Sequence, residues 1–361
     1  MHSRERLRRA YYLEEMDRPA VYSRTSSVPW DDSSYDKLRA FLTAECDQKA
    51  YWDGRAFETA YPVSHAVEPY SEDFERQITI LHTPAGDLWA SKRVGLKYQP
   101  GLQETFFIKT GADAEKYLSL PLPQWVGDVD SFFVVDREIG EQGIADVSLG
   151  FNPAGFVAEL CGSETFALMS VTDRDVLHAL CQRQMEIMLE TVKFLLGQGV
   201  GPFFSMAGEE YLVPPLHGPT DFGDFNVRYD KPIIDLVHDA GGRVYIHCHG
   251  SVKRVMQGFL DMGVDVLHPF EAPPMGDITP AEAKEVIRGR VCYEGNIQIH
   301  HMYEHTPEQV REETQALIDA VFDDRVGLIV CPTASPYIPG EGQVCLERFR
   351  AMVEAVHSWQ V

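Results

Sequence analysis

The chain has 361 residues, of which 44% are hydrophobic, so it is long enough to bury a sizeable core. Its 32 basic and 55 acidic residues give a formal charge of −23, which repels nucleic acid and anionic membranes and excludes them as expected partners. No run approaches the roughly 20 apolar residues of a membrane helix. The first nine residues carry basic side chains with no apolar core behind them, so we expect a short amphipathic helix there rather than a secretory signal.

Cysteine usage gives an expectation about the compartment. Seven cysteines are scattered at irregular spacing, and no two form a CxxC pair. This pattern favours free thiols in a reducing environment over a disulfide framework, so a cytoplasmic protein is expected.

The first third of the chain has no regular alternation of strands and helices. Two β-rich runs, residues 78–83 and 105–108, are separated by the turn-forming sequence of residues 84–87. We therefore predict a hairpin-like excursion over residues 77–110, followed by a short helix over residues 113–118.

From about residue 128 short apolar runs alternate with longer amphipathic ones. Thr279-Pro280 and Thr306-Pro307 each combine an N-cap residue with proline at the first helical position. The predicted strands are residues 131–135, 145–151, 201–206, 243–247, 264–269, 290–293 and 326–331. The predicted helices are residues 172–197, 221–240, 251–262, 280–288, 306–322 and 345–359.

This alternation implies parallel βαβ units, and the number of strands favours one (β/α)₈ TIM barrel domain over residues 1–361. A doubly wound open sheet is the alternative. The sequence has no GxGxxG after a first strand and no GxxxxGK[ST], so neither a dinucleotide site nor a phosphate loop of those kinds is supported.

The strand ends carry the candidate chemistry, because barrel active sites lie at the carboxyl ends of strands. His247 and His249 end one predicted strand, and residues two apart on a strand project to the same face. Together with Cys331 they make a nitrogen and sulfur set suited to zinc with an open fourth position. Cys248 is turned away and is expected to pack, unless a twist lets it replace a histidine. The alternative is that both histidines and Cys331 are ordinary core residues.

Several other polar residues near strand ends are candidates for catalysis. The candidate carboxylates for completing the metal site are Glu164, Glu209, Glu210, Glu271 and Glu294. The adjacent pair Glu209 and Glu210 suits proton transfer, Glu271 suits a partner to a histidine N–H, and Asn296 offers an amide. The alternatives are a solvated loop for the pair and a simple turn at Asn296, and His300 and His301 are substrate-facing at most.

Residues 221–250, 294–297 and 306–310 resemble the uroporphyrinogen decarboxylase superfamily, as do Ser3–Leu7 and Asp17-Arg18-Pro19. The resemblance spans most of the chain, is best over residues 170–340, and implies a (β/α)₈ barrel. One branch of the superfamily comprises cofactor-free decarboxylases with an Arg-Gln-Ala-Gly-Arg-Tyr segment that residues 21–27 lack. The other comprises methyltransferases similar to the methylcobamide:coenzyme M enzymes, which bind zinc through His-x-Cys and a distant Cys.

The second branch is the better match, although His249 stands where its motif has cysteine. The resemblance implies a zinc-dependent methyltransferase that transfers a methyl group between a corrinoid on a partner protein, or a similar donor, and a metal-activated small-molecule acceptor. It implies His247, His249, Cys331 and Glu164 or Glu209 as ligands, and a homodimer as a candidate assembly. A cofactor-free decarboxylase and a non-catalytic module that binds a corrinoid protein are the alternatives.

Overall fold

The computed structural model describes residues 1–24, 27–97 and 100–359. The strands in chain order are β1 (Ala20–Val21), β2 (Gln48–Asp53), β3 (Val63–Pro69), β4 (Phe74–Leu81), β5 (Leu88–Gly95), β6 (Leu102–Thr105), β7 (Gly143–Phe151), β8 (Phe203–Ala207), β9 (Arg243–His247), β10 (Val266–His268), β11 (Cys292–Ile297) and β12 (Leu328–Pro332).

The helices are α1 (Ser3–Tyr11), α2 (Asp36–Glu45), α3 (Gly111–Leu118), α4 (Asp130–Ile139), α5 (Pro153–Cys161), α6 (Ser163–Thr172), α7 (Arg174–Gly197), α8 (Pro219–Asp221), α9 (Arg228–Asp239), α10 (Met256–Met262), α11 (Pro280–Ile287), α12 (His301–Glu304), α13 (Pro307–Val321) and α14 (Gly342–His357). A π-helical segment, Phe222–Val227, precedes α9, and short 3₁₀ turns lie at Ser33–Tyr35, Gly140–Gln142 and Glu209–Leu212. Among the described residues no helix has both the length and the apolar composition that crossing a bilayer requires.

Eight strands form one curled, all-parallel sheet in the order β1-β12-β11-β10-β9-β8-β7-β2. The two edge strands, β1 and β2, approach each other: the N–H of Asp47, the residue before β2, donates to the carbonyl of Val21 in β1 at 2.8 Å. Helices connect successive strands from β7 onward, as the alternating pattern predicts. The architecture is therefore α/β and barrel-like.

The predicted strand over residues 131–135 is wrong, because α4 occupies this segment. Its Phe-Phe-Val-Val run favours a strand by propensity. In the fold only Phe132 of this helix is buried, and its ring packs edge-on against Trp52 at 5.4 Å between centroids. Ser131 accepts a hydrogen bond from the same indole at 3.0 Å. Tertiary contacts to β2 thus override the local preference.

The sequence analysis missed β1 and β2, which complete the sheet. β1 has only two residues. In β2 the side chains of Lys49 and Tyr51 line the cavity inside the barrel, while Trp52, on the other face of the strand, is buried. A strand whose inward face is polar shows no apolar run, so hydrophobic periodicity does not detect it.

A separate four-stranded antiparallel sheet, β3-β4-β5-β6, is inserted between β2 and α3. β4 and β5 form a hairpin around the turn sequence of residues 84–87. The insertion begins fourteen residues before the predicted excursion of 77–110, and the run at 105–108 contributes only the last residue of β6. Tyr98 and Gln99 of that prediction lie outside the described residues.

Two glycines set the distance between α5 and the turn after β8. A Cβ on Gly155 would lie 2.7 Å from the Cα of Gly208, and Gly208 itself has a φ of +112°. The close approach at Gly155 and the positive φ at Gly208 both exclude larger side chains. The helix α5 therefore packs directly on the backbone that carries Glu209. This packing fixes the direction in which the Glu209-Glu210 turn leaves the barrel.

Candidate active site

A cavity of about 620 Å³ opens at the carboxyl ends of the barrel strands, and we call it the central cavity. It is lined by residues from four strands, β2, β7, β8 and β9, and from the segment after β1. The polar ones that bear on chemistry are Tyr22, Arg24, Lys49, Tyr51, Asp146, Ser148, Ser205, Tyr245 and His247. This is the end of a barrel at which active sites are built.

Lys49 and Glu294 form a buried ion pair across the barrel, with side chains 5% and 1% exposed. The Lys49 ammonium also lies 4.8 Å from the ring centroid of Tyr22 and 4.6 Å from that of Tyr245. The second carboxylate oxygen of Glu294, Oε1, is buried without a hydrogen-bond partner. Burial raises the pKa of neighbouring Asp146, although Lys49 opposes that shift. The base of the cavity is thus charged and buried.

His247 and His268 direct ring nitrogens at a common point. The His268 Nε2 lies 3.1 Å from the Pro332 carbonyl, so it carries the proton and Nδ1 is a lone pair. The Arg24 guanidinium, which can only donate, lies 2.8 Å from His247 Nδ1 and 3.4 Å from His268 Nδ1. Those two Nδ1 atoms are 2.8 Å apart. Two lone pairs this close repel unless a cation lies beside them, and Arg24 supplies that cation.

Both imidazoles are held in the neutral form. Burial, with contributions from Arg24 and His249, lowers the pKa of His247 to about 2. Burial and Arg24 also lower the pKa of His268 well below its ordinary value. Neutral imidazoles are the form that binds a metal ion.

His268, Glu294 and Cys331 form a buried cluster whose ligand atoms all lie within 4.8 Å of one another. Burial raises the pKa of the Cys331 thiol, which is therefore protonated unless a cation lies nearby. An imidazole lone pair, a thiol and an unpartnered carboxylate oxygen are a donor set that zinc binds. The residues present therefore fit the zinc ion predicted from the sequence.

Only part of the predicted metal set lies in this cluster. The rings of His247 and His249 are neighbours, 4.5 Å between centroids, in line with their i and i+2 positions. His249 is paired outward, however, with its Nδ1 3.2 Å from Glu271 Oε2. The cluster contains Cys331 and one of the candidate carboxylates, Glu294, together with His268. His247, His249 and Glu164 are not part of it. Cys248, between His247 and His249 in the chain, is buried, in agreement with the packing role predicted for it.

Glu271 and Glu210 lie on either side of His249. Burial raises the pKa of Glu271, but hydrogen bonds from His249 and the Gly250 N–H outweigh it, so the pKa is lowered overall. Burial raises the pKa of Glu210, and its interaction with His249 lowers it only in part. His249 is thus paired with a carboxylate of lowered pKa and interacts electrostatically with one of raised pKa, an arrangement that suits proton transfer.

Glu209 does not line the central cavity. Both of its carboxylate oxygens are buried without partners, and burial together with the neighbouring Asp230 raises its pKa well above the ordinary value. Asn152 donates to both Asp230 oxygens at 2.9 and 3.1 Å, and Asn226 donates to the Glu209 carbonyl. Glu210 contributes to the raised pKa of Glu209, so the two carboxylates interact, but Glu209 does so away from the central cavity.

Glu164 and Asn296 also lie away from the cavity. Glu164 is solvent-exposed in the first turn of α6, and the cluster around Cys331 does not include it. The Asn296 side chain donates to the Phe270 carbonyl at 2.8 Å and lines a different cavity of about 340 Å³. Neither residue is placed to touch a ligand in the central cavity.

The sequence analysis missed Arg24, Lys49, Asp146 and His268. Two of them had a detectable signal: Asp146 lies within a predicted strand, and His268 ends the strand next to His247, in register with it. Arg24 belongs to residues 21–27, the segment compared with the decarboxylase motif, of which Thr25 and Ser26 lie outside the described residues.

The family model described as Uroporphyrinogen decarboxylase (URO-D) matches residues 151–359, more than half of the chain. The chain belongs to the uroporphyrinogen decarboxylase family. All the strand ends from β7 to β12, including those that carry His247, His268, Glu294 and Cys331, lie at or within this match. No curated protein matches the chain.

Two solved structures are similar to this family member. A methyltransferase from Methanosarcina mazei is 13% identical, with 98% of this chain and 99% of that chain covered and a TM-score of 0.59. A B12-independent methionine synthase from Shewanella sp. W3-18-1 is 16% identical, with 66% and 70% covered and a TM-score of 0.43. The first likeness supports the barrel-like fold over the whole chain.

Proposed function

We propose that this member of the uroporphyrinogen decarboxylase family is a zinc-dependent methyltransferase that acts in the central cavity. The observation that carries the proposal is the buried cluster of His268, Glu294 and Cys331 beside the lone pair of His247. A purely structural barrel has no need of an unpartnered buried carboxylate oxygen, a thiol and two neutral imidazoles at one point.

The proposed ligands are Cys331, His268 and Glu294, with His247 adjacent. Zinc bound there would lower the pKa of a coordinated thiol or hydroxyl so that the nucleophile exists at neutral pH. The Pro332 carbonyl holds His268 in the tautomer whose Nδ1 carries no proton and presents a lone pair. The Lys49 ammonium offsets the negative charge of Glu294 and orients its carboxylate.

The remaining residues bind the acceptor and move its proton. Arg24 and Lys49 are the cations of the central cavity, whose lining also includes tyrosines, Asp146 and apolar side chains. Because Lys49 is paired with Glu294, Arg24 is the group that suits an acceptor with an anionic group. The pair of His249 and Glu271, whose histidine ring neighbours that of His247 and is partly exposed, suits removal of the nucleophile's proton to solvent. We further propose that the methyl donor is a corrinoid carried by a partner protein.

Metal analysis of single variants tests the ligand set. We expect purified protein to lose one equivalent of zinc in Cys331→Ser and in His268→Gln, because each change removes a donor atom from a three-residue cluster. Cys161→Ser, which alters a buried thiol outside the cluster, is the matched control and should keep its metal. His249→Gln should also keep it, because its ring is paired with Glu271.

Two outcomes would contradict this assignment. If zinc content is the same in Cys331→Ser, His268→Gln and Cys161→Ser, there is no zinc site in the central cavity. If His249→Gln loses zinc while His268→Gln retains it, the ligands are those predicted from the sequence. Activity is tested separately by the loss of the methyl group from methylcobalamin with small anionic thiols or alcohols as acceptors, and a rate equal to that of chelator-treated protein would refute methyl transfer.

A cofactor-free decarboxylase is the second candidate, favoured by one observation. Arg24 and Lys49 place two cations in a cavity of about 620 Å³, which is also suited to a substrate with several carboxylates. The two candidates differ in their response to a chelator. Decarboxylation of an acidic tetrapyrrole that persists without metal, and is lost in Arg24→Gln, would favour the decarboxylase.

A further inference from the structure

A second group of metal-type ligands lies outside the central cavity, and we call it the outer cluster: His301, His305 and Glu313. Their ligand atoms all lie within 4.8 Å of one another. His301 Nδ1 lies 2.9 Å from Glu313 Oε2 and 3.1 Å from Glu313 Oε1. His305 Nδ1 lies 3.8 Å from the same Oε2 atom. The imidazole rings of the two histidines are stacked at 3.8 Å between centroids.

Local structure explains why these three side chains meet. His301 begins the short helix α12, and His305 follows its last residue, so the two histidines are four residues apart on one helical face. This H-x₃-H spacing is one that zinc sites use. Glu313 comes from the second turn of α13, whose Thr306 capping box fixes where that helix starts. Two neighbouring helices therefore supply two nitrogens and one carboxylate to a single point.

The outer cluster has features of a site that still lacks a ligand. His305 Nδ1 is buried and has no hydrogen-bond partner. The three side chains are 21%, 33% and 29% exposed, so the cluster is open on one side. His301 and Glu313 line the cavity of about 340 Å³ that also contains Asn296 and Gln298, and the Gln298 amide nitrogen is buried without a partner. An open position would thus face a cavity with further polar groups.

We propose that His301, His305 and Glu313 bind a divalent transition-metal ion, zinc being the best match, with an open position toward the adjacent cavity. Two imidazoles and a carboxylate with an open position are the donor set of catalytic zinc sites and of non-haem iron sites. Because one histidine is four residues from the other on a single turn, the site is largely formed before an ion binds. The proposal does not depend on a metal in the central cavity.

Cobalt(II) and zinc(II) titrations of the full chain carrying Cys331→Ser test this proposal, since that background removes the thiol of the central cluster. We expect one ion to bind, with a cobalt spectrum that lacks sulfur-to-metal charge transfer. Adding His301→Gln or His305→Gln should weaken the apparent Kd by at least about 100-fold, which exceeds the roughly 10- to 100-fold cost of losing an outer-shell partner.

His300→Gln is the matched control, because His300 lies 4.3 Å from the His301 ring but is not part of the outer cluster. It should change the Kd little. Far-ultraviolet circular dichroism should show that each variant folds, and Glu313→Gln provides a second route if a histidine variant does not. Equal Kd values for His300→Gln, His301→Gln and His305→Gln, or no cobalt bound in the Cys331→Ser background, would overturn the proposal.

Discussion

The buried Lys49–Glu294 pair offers the sharpest test of how the barrel interior is held. Lys49→Met removes the ammonium and leaves a carboxylate that is 1% exposed. Breaking a buried pair by removing one partner costs about 3–5 kcal/mol, because the remaining charge is uncompensated. We expect that loss in the free energy of unfolding, measured in urea at neutral pH with a chelator present so that no bound metal contributes.

The reverse variant should cost less, for a reason visible in the contacts. In Glu294→Gln the Lys49 ammonium keeps the rings of Tyr11, Tyr22 and Tyr245 at 5.2, 4.8 and 4.6 Å. A desolvated cation–π contact is worth up to about 2 kcal/mol, so these rings retain part of the stabilisation. We expect about 1–3 kcal/mol of destabilisation for Glu294→Gln.

The double variant and a surface pair complete the cycle. Lys49→Met with Glu294→Gln should lie within about 2 kcal/mol of the parent protein, because neither charge is then left alone. Lys193→Met is the matched control: its ion pair with Glu190 is about half exposed, so it should cost no more than about 1 kcal/mol. A loss below about 1 kcal/mol for Lys49→Met, or additive single effects, would refute the reasoning.

Three further predictions concern stability. Burial and Asp230 raise the pKa of Glu209 in the folded protein. Above about pH 4.3 the unfolded chain loses this proton first, so the free energy of unfolding falls as pH rises. Glu209→Gln should flatten that fall between about pH 5 and pH 8, as measured by urea unfolding. Gly155→Ala, whose Cβ would meet Gly208 at 2.7 Å, should cost about 1–3 kcal/mol, whereas Gly197→Ala has open space and should not destabilise. Chelator treatment should lower the midpoint of thermal unfolding, and zinc at about 100 times its Kd should restore about 2.7 kcal/mol.

The regular half of the fold could be predicted because its strands are apolar on both faces. β9 and β12 are buried hydrophobic runs bounded by turn residues, and their limits agree with the predicted ones to within two residues. β1 and β2 could not be found by the same rule, because one is too short and the other presents Lys49 and Tyr51 to the central cavity. Polar residues that line the cavity thus hide β2 from a hydrophobic pattern.

The candidate site shows the same limit at the level of single residues. The sequence pointed to His247 and Cys331, since both end apolar strands. It favoured His249 over His268 as the second metal-binding histidine, because the i and i+2 spacing of His247 and His249 is visible in one segment. The partner of His247 in space comes from the neighbouring strand: His268 is paired in register with His247 in the parallel ladder between β9 and β10. Register between two strands about twenty residues apart is a property of the pair and cannot be read from either segment alone.

This distinction decides what His249 does in the proposed enzyme. If His247 and His249 were both metal ligands, histidine at position 249 in place of the cysteine of His-x-Cys would change the charge and softness of the metal site itself. In the structure His249 instead pairs with Glu271, which also accepts the Gly250 N–H at 2.8 Å. The metal cluster keeps a thiol, an imidazole and a carboxylate without it. Under the proposed function, we therefore expect histidine at position 249 to act on proton transfer and not on metal binding. A changed pH profile of His249→Gln with unchanged zinc content is the result that separates the two interpretations.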